Sequence, residues 1–157
     1  MLTGRFGPVY MGMPLDELKQ VLGEPSESYD SGAGTALLFY KGFEFYYFTD
    51  DNTLYGIQND NVPYEIPDVI ENRFRFNDDL EIDTWFIHFG KALTYEQVLI
   101  FLDHEQVGFE KHDKPDHDEI TLPGGVNFDF ESYKDQQGNM KFERTKAKLI
   151  GIRYFVF

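Results

Sequence analysis

The chain has 157 residues, the length of one ordinary domain with its own core. Its 28 acidic residues against 14 basic ones give a formal net charge of -14, which argues against nucleic acids and anionic lipids as partners, because phosphate binding depends on Lys and Arg. Cysteine is absent, and the sequence shows neither a secretory leader nor an apolar run near the roughly 20 residues that span a bilayer. We therefore expect a cytoplasmic protein without disulfides or a membrane segment.

The acidity leaves two interpretations open. It suits a partner protein with a basic surface, and it equally serves solubility alone. The basic residues are concentrated near the C-terminus, at Lys141, Arg144, Lys146, Lys148 and Arg153. The acidic excess therefore lies in the rest of the chain.

The first helix is predicted to begin at Pro14, because proline is favoured in the first turn of a helix. We expect a short strand at 9–11 before it and a helix end at Gly23. Its apolar stripe consists of Leu15, Leu18, Val21 and Leu22. A polar stretch then leads into the strands.

Three strands are predicted after this helix, at 35–40, 43–49 and 54–58, as an antiparallel meander. Asp50 and Asp51 lie in the turn between the last two. Alternation along the second strand points Phe43, Phe45 and Tyr47 to one side and Glu44, Tyr46 and Phe48 to the other. Tyr46 and Phe48 are therefore aromatic residues on a face that would otherwise be polar.

Residues 59–79 are predicted to hold an ordered linker and the first strand of a hairpin. The second strand of that hairpin, at 80–89, leads to a second helix. This helix is predicted to begin at Thr94, where Gln97 completes a capping box.

Strands are expected again at 120–122 and 126–133, and the stretch 140–157 is expected to hold two strands or one bent strand. Aromatic residues make up 17% of the chain and favour sheet throughout. Alternation points Val126, Phe128 and Phe130 to one side and Asn127, Asp129 and Glu131 to the other. The predicted core set is Phe43, Phe45, Phe128 and Phe130.

The second half repeats the first in diverged form. MPLDELKQVL at 13–22 recurs as LTYEQVLIFL at 93–102, the aromatic strand at 42–48 recurs at 125–133, and LYGI at 54–57 recurs as LIGI at 149–152. The offset between matched positions grows from 80 to 83 to 95 residues, as duplicated units with longer loops in the second would show. We predict an α+β fold of two tandem helix-plus-antiparallel-sheet repeats, at 1–58 and 80–157, joined by 59–79 in one compact domain.

The pattern at 12–57 consists of a glycine, an acidic helix start, Leu18, Leu22-Gly23, Pro25, an aromatic strand and a closing L-x-G-I. It resembles the beta-lactamase-inhibitor-protein-like (BLIP-like) repeat, which also occurs in outer-membrane assembly lipoproteins of the SmpA/OmlA type. The second half departs from this pattern, because Asp103 and His104 follow Leu102 in place of the Gly-x-Pro element. The resemblance implies two sheets side by side that form a concave face and grip proteins. It does not imply the lipoprotein branch, whose anchor is a lipidated cysteine.

One cluster has the composition of a metal site, namely His112, Asp113, Asp116, His117, Asp118 and Glu119. Its spacing matches no closed site, so we favour a solvated loop, with His112, Asp116 and His117 as the metal-ligand candidates. The sequence contains no nucleophile, P-loop or cofactor motif. We therefore predict neither an enzyme nor a cofactor.

The leading hypothesis is a non-enzymatic protein-binding module, an inhibitor or immunity-type protein that occludes a basic toxin or hydrolase. Aromatic residues dominate interface hot spots, and acidic turns steer a basic target. The predicted partner-binding residues are therefore Tyr46, Phe48, Asp50, Asp51, Tyr55, Trp85 and Tyr133. The alternative is a small-ligand or metal-binding sensor domain that uses a pocket between the repeats, with the loop at 112–119 as its gate.

Overall fold

The computed structural model describes residues 6–60, 62, 75–78, 80, 86–88, 91–114 and 117–156. Their main feature is a single antiparallel sheet of eight strands, accompanied by two helices and two short hairpins. The fold is therefore α+β, as predicted. Most of the predicted linker and hairpin at 59–89 lies outside the described residues.

The helices are α1 (Leu15–Leu22) and α2 (Tyr95–His104). The large sheet contains β1 (Glu27–Asp30), β2 (Thr35–Tyr40), β3 (Phe43–Phe48), β4 (Thr53–Asn59), β7 (Glu110–Asp113), β8 (Asp118–Thr121), β9 (Val126–Phe130) and β12 (Leu149–Phe155). The short hairpins pair β5 (Ile87–His88) with β6 (Lys91–Ala92) and β10 (Tyr133–Lys134) with β11 (Met140–Lys141). In the described part of the chain, no helix is long and apolar enough to cross a membrane.

Helix α1 begins and ends where the sequence predicts. Pro14 is its N-cap residue, and two carboxylates lie in the first turn, where the helix dipole favours negative charge. Gly23 ends the helix with a φ of 84°, a left-handed conformation that glycine adopts without strain. Leu18 and Leu22 are buried, so the helix presents its predicted apolar face to the sheet.

Helix α2 begins with the predicted capping box. The Thr94 backbone N–H donates to Gln97 Oε1 at 2.9 Å, and the Gln97 backbone N–H donates to Thr94 Oγ1 at 3.4 Å. Two backbone donors of the first turn thereby gain side-chain partners. Val98 and Leu102 are fully buried, at the positions that correspond to Leu18 and Leu22 in α1.

Two edge strands appear that the sequence pattern does not reveal. β1 and β7 follow the two helices, in stretches predicted to be polar and irregular. All four residues of β1 are exposed, and three of the four in β7 are exposed as well. Neither strand therefore shows the alternation on which strand prediction depends. The predicted loop at 112–119 is therefore wrong. Most of this segment belongs to β7 and β8, which pair as a hairpin.

The predicted strand at 9–11 is also wrong. Val9 forms only an isolated bridge with Phe6, with backbone hydrogen bonds of 3.0 and 3.3 Å between the two residues. Gly7 and Pro8 lie between them, and such residues close a tight turn. The chain therefore enters α1 from a turn.

The strand order of the large sheet is β1-β2-β3-β4-β12-β9-β8-β7. The first four strands come from the first half of the chain, and the last four come from the second half in the mirrored order. The halves meet where β4 pairs with β12, with Gln58 opposite Arg153. They therefore share one continuous sheet, in contrast to the predicted pair of sheets side by side.

The two halves also agree in their irregular features. An isolated bridge joins the N-cap residue of each helix to the last strand region of the same half, as Pro14 to Thr53 and Thr94 to Lys148. A β-bulge shifts the register at Tyr55 in the pairing of β4 with β3 and at Ile150 in the pairing of β12 with β9. These positions are separated by the same 80 and 95 residues that relate the sequence repeats.

The core lies on the inner face of the sheet, which both described helices cover. The four predicted core residues Phe43, Phe45, Phe128 and Phe130 are at most 2% exposed. Phe6 adds a ring from the N-terminal turn, with its centroid 5.0 Å from that of Phe43 in an edge-to-face arrangement. The side chains on the opposite side of the sheet form what we call the outer face.

Candidate protein-binding face

Four aromatic side chains contact one another on the outer face. We call them the aromatic patch, which consists of Tyr46, Phe48, Tyr55 and Phe155. The rings of Phe48 and Tyr55 stack with their centroids 4.2 Å apart, and the Tyr46 ring lies 5.1 Å from that of Phe155. Phe48 is 37% exposed, and the other three are half-buried. The fold thus brings together three of the predicted partner-binding residues.

Gly56 makes this arrangement possible. Strand register places Gly56 between Tyr46 on β3 and Phe155 on β12. The Phe155 ring lies directly over Gly56, because a Cβ built there would be 2.3 Å from two of its ring carbons. A glycine inside a strand often marks such a close approach.

A hydrogen-bond network holds the Tyr46 ring in place. The Tyr46 hydroxyl donates to Glu44 Oε2 at 2.5 Å, and Gln58 Nε2 donates to the same oxygen and to the hydroxyl, both at 2.7 Å. Burial, followed by the hydrogen bond to Glu44, raises the pKa of Tyr46 well above its usual range. The phenol therefore stays neutral and serves as a fixed donor at neutral pH.

Beside the patch, Arg153 lies between two carboxylates, in what we call the Arg153 cluster (Arg153, Asp60 and Asp129). Its Nε lies 2.9 Å from Asp60 Oδ1 and 2.9 Å from Asp129 Oδ2. The single N–H on Nε donates to Asp60, so the buried Asp129 Oδ2 receives no hydrogen bond. Burial raises the pKa of Asp129, with Arg153 opposing the shift and Glu119 and Asp60 adding to it.

The aromatic patch and the Arg153 cluster occupy equivalent positions of the two halves. By the repeat offsets, Tyr46 corresponds to Asp129, Gly56 to Gly151, and Asp60 to Phe155. A Cβ on Gly151 would lie 3.1 Å from Asp129 Oδ2 and 3.3 Å from Asp60 Oδ1. Both glycines therefore admit side chains from neighbouring segments, aromatic in one half and acidic in the other.

A cavity of about 460 Å³ lies beside the Arg153 cluster. The cavity is open to solvent. Its lining residues are His117, Asp129, Phe130, Glu131, Ser132, Ile150 and Arg153. The cavity therefore combines two carboxylates and one guanidinium with apolar surface.

Asp50 and Asp51 lie exposed in the turn between β3 and β4, next to Phe48. Asp51 Oδ1 accepts hydrogen bonds from the Thr53 backbone N–H at 3.0 Å and from its hydroxyl at 2.6 Å. Such an Asx contact is typical of turns. Asp51 thus has a structural role at the rim of the aromatic patch.

The remaining predicted site residues lie partly outside the described part of the chain. Trp85 and Asp116 lie outside the described residues, and for Tyr133 only the backbone, in β10, is described. His112 lies in β7, with its Nε2 4.0 Å from Glu110 Oε2, whereas His117 lines the cavity. Within the described ranges, no three His, Asp or Glu side chains converge as a metal site would require.

Sequence patterns do not single out Phe155, Arg153 and Asp60 as neighbours. Phe155 reaches Gly56, and Arg153 reaches Asp60, only across the junction of β4 with β12. The available signal is the matched pair Gly56 and Gly151, because a glycine inside a strand indicates a close approach by another group.

Comparison with known proteins yields no family for this chain. No protein-family model matches it, and neither a curated protein nor a solved structure is significantly similar to it. Any inference about function therefore depends on the outer face itself.

Proposed function

We propose that the chain is a non-enzymatic protein-binding module, an inhibitor or immunity-type protein that occludes a basic toxin or hydrolase. The observation that carries this proposal is the aromatic patch, four contacting rings on the sheet face opposite both described helices. Clustered, pre-positioned aromatic side chains provide much of the binding energy of protein interfaces. The Tyr46 network and the space above Gly56 hold the rings rigidly before a partner arrives.

The proposed partner has a basic surface, because carboxylates border the patch. Glu44 accepts a hydrogen bond from the Tyr46 hydroxyl, and Asp50 and Asp51 are exposed beside Phe48. The whole chain carries a formal charge of -14. An apolar centre with a charged rim is the usual anatomy of an interface, and opposite charge on the partner accelerates encounter.

We propose further that the fold is a BLIP-like pair of tandem repeats whose outer face forms a concave, gripping surface. Equivalent strand order, bridges and bulges in the two halves support this proposal. The outer face is aromatic in one half and acidic in the other, which favours a single asymmetric target. A cytoplasmic site of action belongs to the same proposal and agrees with a sequence that contains no cysteine.

Affinity capture from the native cell, followed by binding measurements on variants, tests the proposal. Phe48→Ala and Tyr55→Ala are expected to weaken the captured complex by about tenfold or more, as hot-spot truncations do. Ile100→Ala is the matched control, because Ile100 is 65% exposed on α2, away from the outer face. A complex that tolerates both aromatic variants as well as it tolerates Ile100→Ala would rule out the aromatic patch as the binding site.

A further inference from the structure

We propose that the cavity beside the Arg153 cluster receives an arginine side chain of the partner protein. This inference rests on the proposed function and adds a second contact to it, next to the aromatic patch. The partner would then be held by apolar contacts on one half of the outer face and by a charge-paired anchor on the other.

The first support is an unpaired carboxylate at the cavity. Glu131 is half-buried and lines the cavity, yet its carboxylate makes no hydrogen bond or ion pair with any of the described residues. Asp129, which is 8% exposed, is only partly neutralised, since the Nε–H of Arg153 donates to Asp60. A buried carboxylate oxygen without a donor, such as Asp129 Oδ2, is costly, and an incoming cation with several N–H groups would satisfy it.

Charge at the site favours a cation. Asp60, Asp129 and Glu131 provide three carboxylates close to the single guanidinium of Arg153, which is already engaged by two of them. His117 also lines the cavity. The raised pKa of Asp129 has the same origin, since burial and the neighbouring Glu119 and Asp60 all disfavour its charge. A bound cation would relieve this repulsion.

Spacing favours arginine over lysine. Asp129 and Glu131 are two residues apart, and the Glu131 backbone N–H donates to the Lys148 carbonyl, so the extended pairing of β9 continues to Glu131. Alternate positions of a strand face the same side, roughly 6.6 Å apart. A planar guanidinium, with several donors in a fork, bridges two carboxylates at about this separation better than a compact ammonium does. Ile150, which is half-buried, provides apolar surface for the aliphatic stem.

An NMR titration of the ¹⁵N-labelled full chain with N-acetyl-arginine amide tests the site without the partner. We expect chemical-shift changes at Asp129, Glu131 and Arg153, and none from the neutral isostere N-acetyl-citrulline amide. Glu131→Gln is expected to weaken binding by about tenfold, as loss of a charge-assisted contact does. Asp103→Asn, an equal charge change at an exposed position of α2, is the control.

Three outcomes of this titration would overturn the inference. They are equal shifts with the citrulline compound, shifts confined to the aromatic patch, and an unchanged affinity for Glu131→Gln. With the captured partner in hand, a complex that loses affinity with Phe48→Ala but not with Glu131→Gln refutes the arginine anchor alone. A complex that tolerates both Phe48→Ala and Tyr55→Ala rules out the aromatic patch on which the proposed function rests, and the titration still decides the cavity.

Discussion

Gly56 and Gly151 determine which side chains the outer face can carry. Each lies in the last sheet strand of its half, beside the bulged residue of that strand. Phe155 occupies the space above the first glycine, and two carboxylates approach the second. A Cβ at either position would crowd these groups, so both positions require glycine.

Gly56→Ala is expected to lower the free energy of unfolding by about 1–3 kcal/mol, because the added Cβ would overlap the Phe155 ring and force it to move. Urea denaturation measures the change. Gly108→Ala is the matched control, since its Cβ would make only an ordinary contact of 3.6 Å with Pro123. A loss smaller than about 0.5 kcal/mol at Gly56 would contradict the close packing.

Asp129 should give stability a characteristic pH dependence. The folded protein holds the Asp129 proton to a higher pH than the unfolded chain, whose carboxyl has the ordinary pKa of 3.8. The free energy of unfolding therefore falls as pH rises from 3.8 through the higher folded-state pKa, and the loss is complete above that pKa. Asp129→Asn removes this loss, so its stability relative to wild type should increase with pH over the same interval. Denaturation midpoints measured at a series of pH values check the sign, and a constant or decreasing difference would contradict the raised pKa.

The helices are the elements that local sequence predicts best, because their signals lie within a few residues. Pro14 and Gly23 bound α1, and Thr94 with Gln97 begins α2. α1 has no side-chain cap, whereas α2 has a complete capping box. The first turn of α2 therefore depends strongly on the Thr94 side chain, whereas the first turn of α1 depends on no single side chain to the same degree.

Thr94→Ala is expected to cost about 1 kcal/mol of stability, because the Gln97 backbone N–H would lose its side-chain acceptor. Thermal or urea denaturation measures this loss. Thr145→Ala serves as the control, since Thr145 is exposed and its hydroxyl only donates to Glu143 at 3.3 Å. Equal stabilities of the two variants would show that the box contributes nothing measurable.

The strands divide according to burial. β2 lies within the limits that alternation predicts, because Ala36, Leu38 and Tyr40 are buried and the residues between them are not. β1 and β7 are not predicted, because both are exposed edge strands in which apolar and polar residues do not alternate. Charged residues on such edges also discourage pairing with other chains.

The whole molecule combines a charge of -14 with an asymmetric outer face. Long-range attraction to a basic partner acts before contact and is screened by salt, whereas contact between apolar rings is not. Electrostatic attraction should therefore affect mainly the association rate constant, and apolar contact mainly the dissociation rate constant.

The complex with a basic partner is expected to weaken as ionic strength rises, chiefly through slower association. The screening length falls from about 10 Å at 0.1 M salt to about 3 Å at 1 M. Surface plasmon resonance over this range measures both rate constants. Asp50→Asn should reduce the salt dependence, because this exposed carboxylate lies at the rim of the aromatic patch. An affinity that is the same at low and high salt would contradict electrostatic steering.

The sequence suffices for the two helices, the inner-face core at Phe43, Phe45, Phe128 and Phe130, and the repeated order of helix and strands. These features follow from caps, turns and periodicity, which act between near neighbours in the chain. Only the tertiary structure reveals that β4 pairs with β12 and joins the halves into one sheet. That pairing places Phe155 over Gly56 and Arg153 between Asp60 and Asp129. Register between strands some 95 residues apart depends on packing of the whole sheet, and no local pattern encodes it.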